Sequence, residues 1–124
     1  MISSGMTASI SLVVMEQDTA IALGSGDVAV LATPRVGALS EEAAVAALAG
    51  SLPGGATTVG TNITLDHLAA SGVGSSVTAT ATVISVEGNK ILFSVDVSEG
   101  DKLVAKGVHT RLVVDRTRFI RSIS

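Results

Sequence analysis

The sequence contains no cysteine, tryptophan or tyrosine, and only two phenylalanines. Without cysteine the chain forms neither disulfides nor thiolate metal sites, and two histidines are too few for a zinc site. We therefore expect no metal. The scarcity of aromatic rings removes the stacking surfaces on which single-stranded nucleic acids bind. The net charge of −3 further disfavours a nucleic acid as partner.

Long apolar runs are missing as well. No stretch reaches the roughly 20 apolar residues that a membrane-spanning helix needs, and residues 1–11 lack the basic and apolar regions of a signal peptide. This predicts a cytoplasmic protein that does not bind a membrane. The 124 residues are 47% hydrophobic, which is enough for one core, but they are too few for two ordinary domains. We expect a single domain over residues 1–124.

The chain does contain a regular order of secondary-structure signals. Alternation of apolar and polar residues predicts a strand over residues 7–15. Residues 34–49 have the pattern of a helix, with Thr33 as its N-cap, Pro34 at its first position and Gly50 just past its end. Because this helix is apolar nearly all round, we expect it to be buried. Further strands are predicted over residues 57–67, 75–87, 91–98 and 103–115.

This order of elements indicates an α+β fold in which one helix packs against an antiparallel sheet. Gly88 and Asn89 suit a two-residue hairpin, and residues 99–101 suit a three-residue one. The helix covers only one face of the sheet, and valine and isoleucine on the other face would be exposed. We therefore expect a dimer or a larger assembly.

One helical carboxylate stands where the periodicity predicts apolar side chains. The residues one turn before and one turn after Glu41 are apolar, whereas Glu42 shares the helix face of Arg35. A carboxylate desolvated by apolar neighbours is a competent base or nucleophile. An ordinary solvated glutamate also fits this pattern.

A histidine and a threonine are the other candidates for chemistry. His67 ends a row of alternating residues that is predicted to face the helix, namely Val59, Thr61, Ile63 and Leu65. A catalytic histidine and a core histidine both fit this position. Capping alone explains Thr33, although its hydroxyl could also bind a carbonyl or a carboxylate.

Positive charge is concentrated near the C-terminal end. Six of the eight lysines and arginines follow residue 101, where the only acid is Asp115, so this segment has a net charge of +5. A solvated, charged terminus accounts for this distribution. A surface that binds a small polyanion is the functional alternative.

An ordered set of short segments resembles a known family, the fluoroacetyl-CoA thioesterase-like branch of the hotdog-fold thioesterases. The similarity covers nearly the whole chain. In chain order the set consists of Leu31-Ala32-Thr33, Glu41, Gly60-Thr61, Asp66-His67-Leu68-Ala69-Ala70, the hairpin Val86-Glu87-Gly88 and the pattern Gly107-x-His109-x-Arg111.

The resemblance implies a hotdog fold, in which a five- to six-stranded antiparallel sheet wraps one central helix, with active sites at the interface of a homodimer or a dimer of dimers. It implies hydrolysis of short or small acyl-CoA thioesters, with coenzyme A as part of the substrate and no cofactor. It assigns catalysis to Thr33, Glu41 and His67, and substrate binding to Gly60 and Arg111. Fluoroacetyl-selective members carry lid phenylalanines that residues 24–31 lack, so the resemblance does not extend to that selectivity.

In the expected reaction Glu41 attacks the thioester carbonyl or activates a water, and the basic segment binds the phosphates of coenzyme A. Two other functions remain open. Hotdog hydratases and dehydratases use an acid–histidine pair, for which Asp66 and His67 are candidates, but adjacent strand residues face opposite sides. A non-catalytic acyl-CoA-binding or assembly module would be stabilised by CoA thioesters without turnover.

Overall fold

Five antiparallel strands form one sheet in the computed structural model, which describes residues 1–124. They lie in the order β1-β3-β4-β5-β2, so β1 and β2 are the two edges. The predicted antiparallel sheet is therefore confirmed. The strands are β1 (Thr7–Val13), β2 (Ala56–His67), β3 (Ser76–Glu87), β4 (Lys90–Glu99) and β5 (Lys102–Asp115).

Three α-helices and a short 3-10 helix (Glu16–Asp18) accompany the sheet. The α-helices are α1 (Ala20–Leu23), α2 (Thr33–Ala47) and α3 (Arg116–Ser122). None of them has the length and apolar character needed to cross a membrane. Helix α2 contacts β1, β2, β3 and β4. Helix α3 lies where the sequence indicated only a basic tail, and the side chain of Asp115 caps it by accepting a hydrogen bond from the N–H of Arg118 at 2.9 Å.

Helix α2 is the predicted helix with two differences. Its first residue is Thr33, and Ala32 occupies the N-cap position without a side-chain cap. Only one face of the helix is buried in the chain, since the side chain of Val45 is 51% exposed. The prediction of a helix buried on all sides is therefore wrong for the single chain, because the sheet covers one side of the cylinder and leaves the other to solvent.

The core lies between α2 and the inner face of the sheet. Small and medium side chains fill it, and Phe93 is its only aromatic ring. Alternate residues of the neighbouring inner strands β3 and β4 supply most of the sheet side: Val77, Ala79, Ala81 and Val83 from β3, and Ile91, Phe93, Val95 and Val97 from β4. The alanines of α2 and β3 allow the helix to lie close to the sheet.

The outer face of the sheet is more polar than expected. Between β1 and β3 three hydroxyl pairs are hydrogen-bonded across the strands, at 2.7–2.9 Å. These hydroxyl pairs interrupt the apolar outer face from which an assembly was inferred, although Val13 of β1 and Leu103 and Val108 of β5 are exposed there. Exposed apolar side chains also lie beside α2 and the edge strand β2, at Val45, Ile63 and Leu68.

Both predicted hairpins are present. Gly88, with a φ of +60°, and Asn89 connect β3 to β4. Gly100, with a φ of +58°, and Asp101 connect β4 to β5, so this loop has two residues rather than the predicted three. Glycine adopts such positive φ values without the steric cost that a Cβ would add.

A register shift in β2 determines which residues face the helix. Ile63 lies opposite His109 and Leu65 opposite Gly107, but the pairing shifts between Gly60 and Asn62. Gly60 then lies opposite Arg111. Because the side-chain period of a strand is two, this one-residue bulge turns Gly60 toward the helix. Val59, which was predicted to share the face of His67, lies on the other side.

Candidate active site

Thr33 and His67 form a direct pair. Thr33 is the first residue of α2, and His67 is the last residue of β2. The Thr33 hydroxyl lies 2.8 Å from Nδ1 of His67, in a hydrogen bond whose donor depends on the imidazole tautomer. The prediction that Thr33 caps the helix is therefore wrong, because its hydroxyl bonds the imidazole and Ala32 is the N-cap.

The second ring nitrogen of His67, Nε2, is buried and has no hydrogen-bond partner in the chain. Buried polar atoms in folded proteins nearly always have a partner, so each exception needs an explanation. Thr33 and His67 line an open cleft of about 280 Å³ with mostly small apolar residues: Ala20, Ser25, Val30, Leu31, Ala32, Leu68, Ala69 and Ala70. This cleft is suited to a small, largely apolar group.

Glu41 lies eight residues further along α2 and bonds to β5. Its Oε2 accepts a hydrogen bond from Nη1 of Arg111 at 3.0 Å. Arg111 is buried and also donates to the hydroxyl and the main-chain oxygen of Thr58, at 2.9 and 3.1 Å. The Glu41 side chain is 45% exposed, so the predicted desolvated carboxylate is not found in the single chain. Instead, an ion pair with the buried Arg111 positions the carboxylate of Glu41.

Gly60 provides the space that Glu41 occupies. A Cβ added to residue 60 would collide with Oε2 of Glu41 and would lie 3.2 Å from both Nη1 of Arg111 and Cε1 of His109. Any side chain here would displace the carboxylate. The two residues that the resemblance assigned to substrate binding, Gly60 and Arg111, thus both lie beside Glu41, and the bulge in β2 is the geometric basis.

His109 belongs to the same cluster, although the sequence analysis assigned it no role. Its side chain is almost completely buried, with Nε2 3.2 Å from Nη1 of Arg111 and 3.8 Å from Oε2 of Glu41. The available signal was alternation, since two polar residues, His109 and Arg111, share the core-facing row of β5. Burial, aided by the charge of Arg111, holds the pKa of His109 below its ordinary value, against the effects of the Asn62 main-chain oxygen and Glu41.

This shift predicts acid sensitivity of the fold. In the unfolded chain His109 takes up a proton near pH 6.5, whereas in the folded chain it stays neutral to lower pH. Its contribution to the free energy of unfolding should therefore be lost as pH falls below about 6.5, by at most about 1.4 kcal/mol per pH unit. Urea denaturation at pH 7.5 and 5.5 should show that the free energy of unfolding falls less in His109→Gln than in the unsubstituted protein. Equal falls in the two proteins would contradict a lowered pKa of His109.

The predicted site residues form two clusters within one chain, Thr33 with His67, and Glu41 with Gly60 and Arg111. No hydrogen bond or ion pair joins the clusters. Thr33 and Glu41 are eight positions apart on the helix, a rise of about 12 Å. Both residues nevertheless line one groove along α2, together with Pro34, Gly37, Ala38, Ile63 and Leu65.

Asp66 does not join either cluster. It lies opposite Lys106 in the β2–β5 register and lines a depression that includes Ser94, Asp96 and Lys106. His67 lines the cleft beside α2 instead. The acid–histidine pair of a hydratase is therefore not formed by these neighbours, as the alternation of β2 predicted.

The basic segment does not form one surface. Lys102 lies 3.3 Å from Glu99, Lys106 lies beside Asp66, and Arg111 is buried under α2. The remaining arginines, Arg116, Arg118 and Arg121, lie on the exposed helix α3. The cations of the segment therefore do not lie together, because alternation along β5 sends Lys106 and Arg111 to opposite faces of the sheet. Binding of the coenzyme A phosphates by this segment stays a prediction.

Comparison with known proteins agrees with this architecture. The family model for fluoroacetyl-CoA-specific thioesterase, FlK, matches residues 14–117. The fluoroacetyl-CoA thioesterase of Streptantibioticus cattleyicolor is 37% identical over 90 residues, which are 73% of this chain. That match spans 65% of the relative's own length, slightly less than two thirds.

Solved structures extend the similarity to almost all of the fold. A structure of the fluoroacetyl-CoA thioesterase FlK superposes with a TM-score of 0.92 at 30% identity, covering 98% of this chain and 95% of that one. A thioesterase superfamily member from Thermus thermophilus superposes with a TM-score of 0.91 at 22% identity, covering 98% of this chain and 90% of that one, which supports the fold alone. The chain therefore belongs to the fluoroacetyl-CoA-specific thioesterase family, a family of thioester hydrolases with the hotdog fold.

Proposed function

We propose that this protein hydrolyses short acyl-CoA thioesters to the free acid and coenzyme A, with Glu41 as the base or nucleophile. The observation that carries the proposal is the orientation of the Glu41 carboxylate. Arg111 binds one of its oxygens, Oε2, across the space left by Gly60, and the carboxylate lines the groove shared with Thr33. A fixed and partly exposed carboxylate has the geometry that attack on a carbonyl, or activation of water, requires.

The reaction needs only groups of the protein and water. Glu41 either attacks the thioester carbonyl carbon or removes a proton from the attacking water. The carbon–sulfur bond breaks, the sulfur leaves with a proton as coenzyme A, and the acyl group leaves as the free acid. On the covalent route a water then cleaves the anhydride formed with Glu41. No cofactor takes part in either route.

Thr33 and His67 act on the other side of the carbonyl in this proposal. The Thr33 hydroxyl and the unpartnered Nε2 of His67 are polar groups in a cleft that is otherwise lined mostly by apolar residues. Pro34 has no N–H, and the Arg35 N–H bonds to Ala32, so Thr33 supplies the main-chain donor at the start of α2. A developing oxyanion there is stabilised by this donor and by the helix dipole.

We further propose that each complete site is formed by two copies of the chain. Strand β2 is an edge strand of 12 residues with neither proline nor lysine, and such an edge favours pairing with another strand. When a strand pairs antiparallel with a copy of itself, the end of one lies beside the beginning of the other. Pairing centred near residue 63 brings His67 of one copy beside Gly60 and Glu41 of the second copy.

The exposed apolar residues support this interface. Ile63 on β2 lines the groove that contains Glu41, and Val45 is exposed one helical turn after Glu41 on α2. Introducing a charge with Val45→Arg should prevent dimerisation and abolish hydrolysis, while the fold is retained because Val45 is not part of the core. The matched control is Val13→Arg, on the opposite edge strand β1, where the side chain is 57% exposed. Sedimentation showing Val45→Arg as dimeric as the control would refute this interface.

The proposed substrates carry small acyl groups. Relatives have been solved as FlK variants in complex with fluoroacetate and with acetyl-CoA. In this chain small aliphatic residues line the cleft at Thr33, and residues 24–31 contain no phenylalanine. We propose a short aliphatic acyl group without selectivity for fluoroacetyl.

A thiol-release assay tests the proposed activity directly. Acetyl-, propionyl-, branched- and aromatic-acyl-CoA are supplied at equal concentration, and free coenzyme A is measured with a thiol reagent, which the protein does not consume because it has no cysteine. We expect turnover of the short aliphatic thioesters. Thermal stabilisation by acyl-CoA without thiol release would instead establish the non-catalytic binding module.

A further inference from the structure

His109 is a buried polar side chain that the proposed reaction does not use. It lies on β5 between Phe93 of β4 and Ile63 of β2, and all three face α2. Its residue exposure is only 1%, and its ring stacks on Phe93 with centroids 6.0 Å apart. Burying an imidazole is costly unless its nitrogens are hydrogen-bonded, so the partners of this ring define its function.

The partners of His109 select one protonation state. Nδ1 lies 2.7 Å from the main-chain oxygen of Asn62, which can only accept, so Nδ1 carries the hydrogen. Nε2 lies 3.2 Å from Nη1 of Arg111, which can only donate, so Nε2 presents its lone pair. Only the neutral imidazole with hydrogen on Nδ1 satisfies both partners. Burial and the adjacent guanidinium favour the same neutral form.

This hydrogen bond fixes the direction of Arg111. Its Nε and Nη2 are bound to Thr58, and its Nη1 contacts both Nε2 of His109 and Oε2 of Glu41. Nη1 has two hydrogens in the plane of the guanidinium. When His109 accepts one of them, the second is aimed at Glu41. The Asn62 oxygen that selects the tautomer lies just past the bulge that opens Gly60, so one irregularity in β2 serves both residues.

We propose that His109 is a positioning residue: a neutral imidazole that accepts a hydrogen bond from Arg111 and thereby directs that arginine to hold one oxygen of Glu41 and leave the other free to react. This role rests on the proposed function of Glu41. The other charged groups near the ring are Arg111 and Glu41, and a proton on Nε2 would remove the acceptor for Arg111 and attract Glu41.

The test compares two substitutions in the full-length protein. His109→Phe keeps an aromatic ring on Phe93 but removes the acceptor, whereas the side-chain oxygen of His109→Gln can still accept from Arg111. We expect His109→Phe to lower kcat by about tenfold while KM for acyl-CoA changes by less than about twofold. We expect His109→Gln to retain at least about half of kcat. Equal losses in both variants, or a change confined to KM, would overturn the proposal.

A second measurement does not depend on activity. Nitrogen-15 correlation spectra of the histidine rings should show His109 with hydrogen on Nδ1 and a bare Nε2 at pH 7.5. Hydrogen on Nε2 would overturn the proposal even if His109→Phe fails to fold. If the protein hydrolyses no acyl-CoA, the proposed function fails while the tautomer remains measurable. If it hydrolyses acyl-CoA and His109→Phe keeps full kcat, only the positioning role fails.

Discussion

Replacement of Glu41 by glutamine should lower kcat/KM for short acyl-CoA thioesters by about 100-fold or more, the usual cost of removing a reacting base or an essential electrostatic group. Glutamine has nearly the same size and can still accept the hydrogen bond from Nη1 of Arg111 at 3.0 Å. It is, however, neither a nucleophile nor a base. The substitution therefore removes the chemistry and leaves the packing over Gly60 nearly unchanged.

The adjacent carboxylate is the matched control. Glu42 lies on the same helix, but its side chain is 52% exposed and pairs with Arg35 at 3.0 Å on the face away from Gly60. Glu42→Gln carries the same change in charge and should retain nearly full activity. Thiol release is measured for both variants, and their melting temperatures are compared to exclude unfolding. Full hydrolysis by Glu41→Gln, or equal losses in both variants, would remove Glu41 from the reaction.

Mixing two inactive variants should restore activity if each site is shared between copies. In a dimer of one Glu41→Gln chain and one His67→Asn chain, one site combines both substitutions and the other combines Glu41 and His67 intact. Random mixing makes half of the dimers mixed, and each of these has one intact site out of two. The expected activity is therefore about one quarter of that of the unsubstituted protein.

We expect this recovery of activity because the site residues lie in two separate clusters within one chain. Thr33 and His67 form one cluster and Glu41 and Arg111 another, without a hydrogen bond between them. The variants are mixed after denaturation and refolding, and each variant refolded alone is the control. If mixtures are no more active than the separate variants, then each site draws all of its groups from one chain, and the shared site is ruled out.

Several features of the protein followed from the sequence by local physics. The helix over residues 34–49 was predicted from Thr33, Pro34 and Gly50, and α2 spans Thr33–Ala47. Both hairpins were predicted from glycines that adopt positive φ, and the opposite orientations of Asp66 and His67 followed from alternation. The ordered set of segments led to the family. Such features depend on residues close together in the chain, so they can be predicted without knowing the tertiary structure.

The arrangement around Glu41 was decided only by the tertiary structure. The one-residue shift between Gly60 and Asn62 turns Gly60 toward the helix, makes room for the carboxylate and aims a main-chain oxygen at His109. No local pattern in β2 predicts that shift, because the shift arises from pairing with β5, more than 40 residues later in the chain. Composition and alternation determine which residues form strands, whereas the register between strands determines which side chains meet.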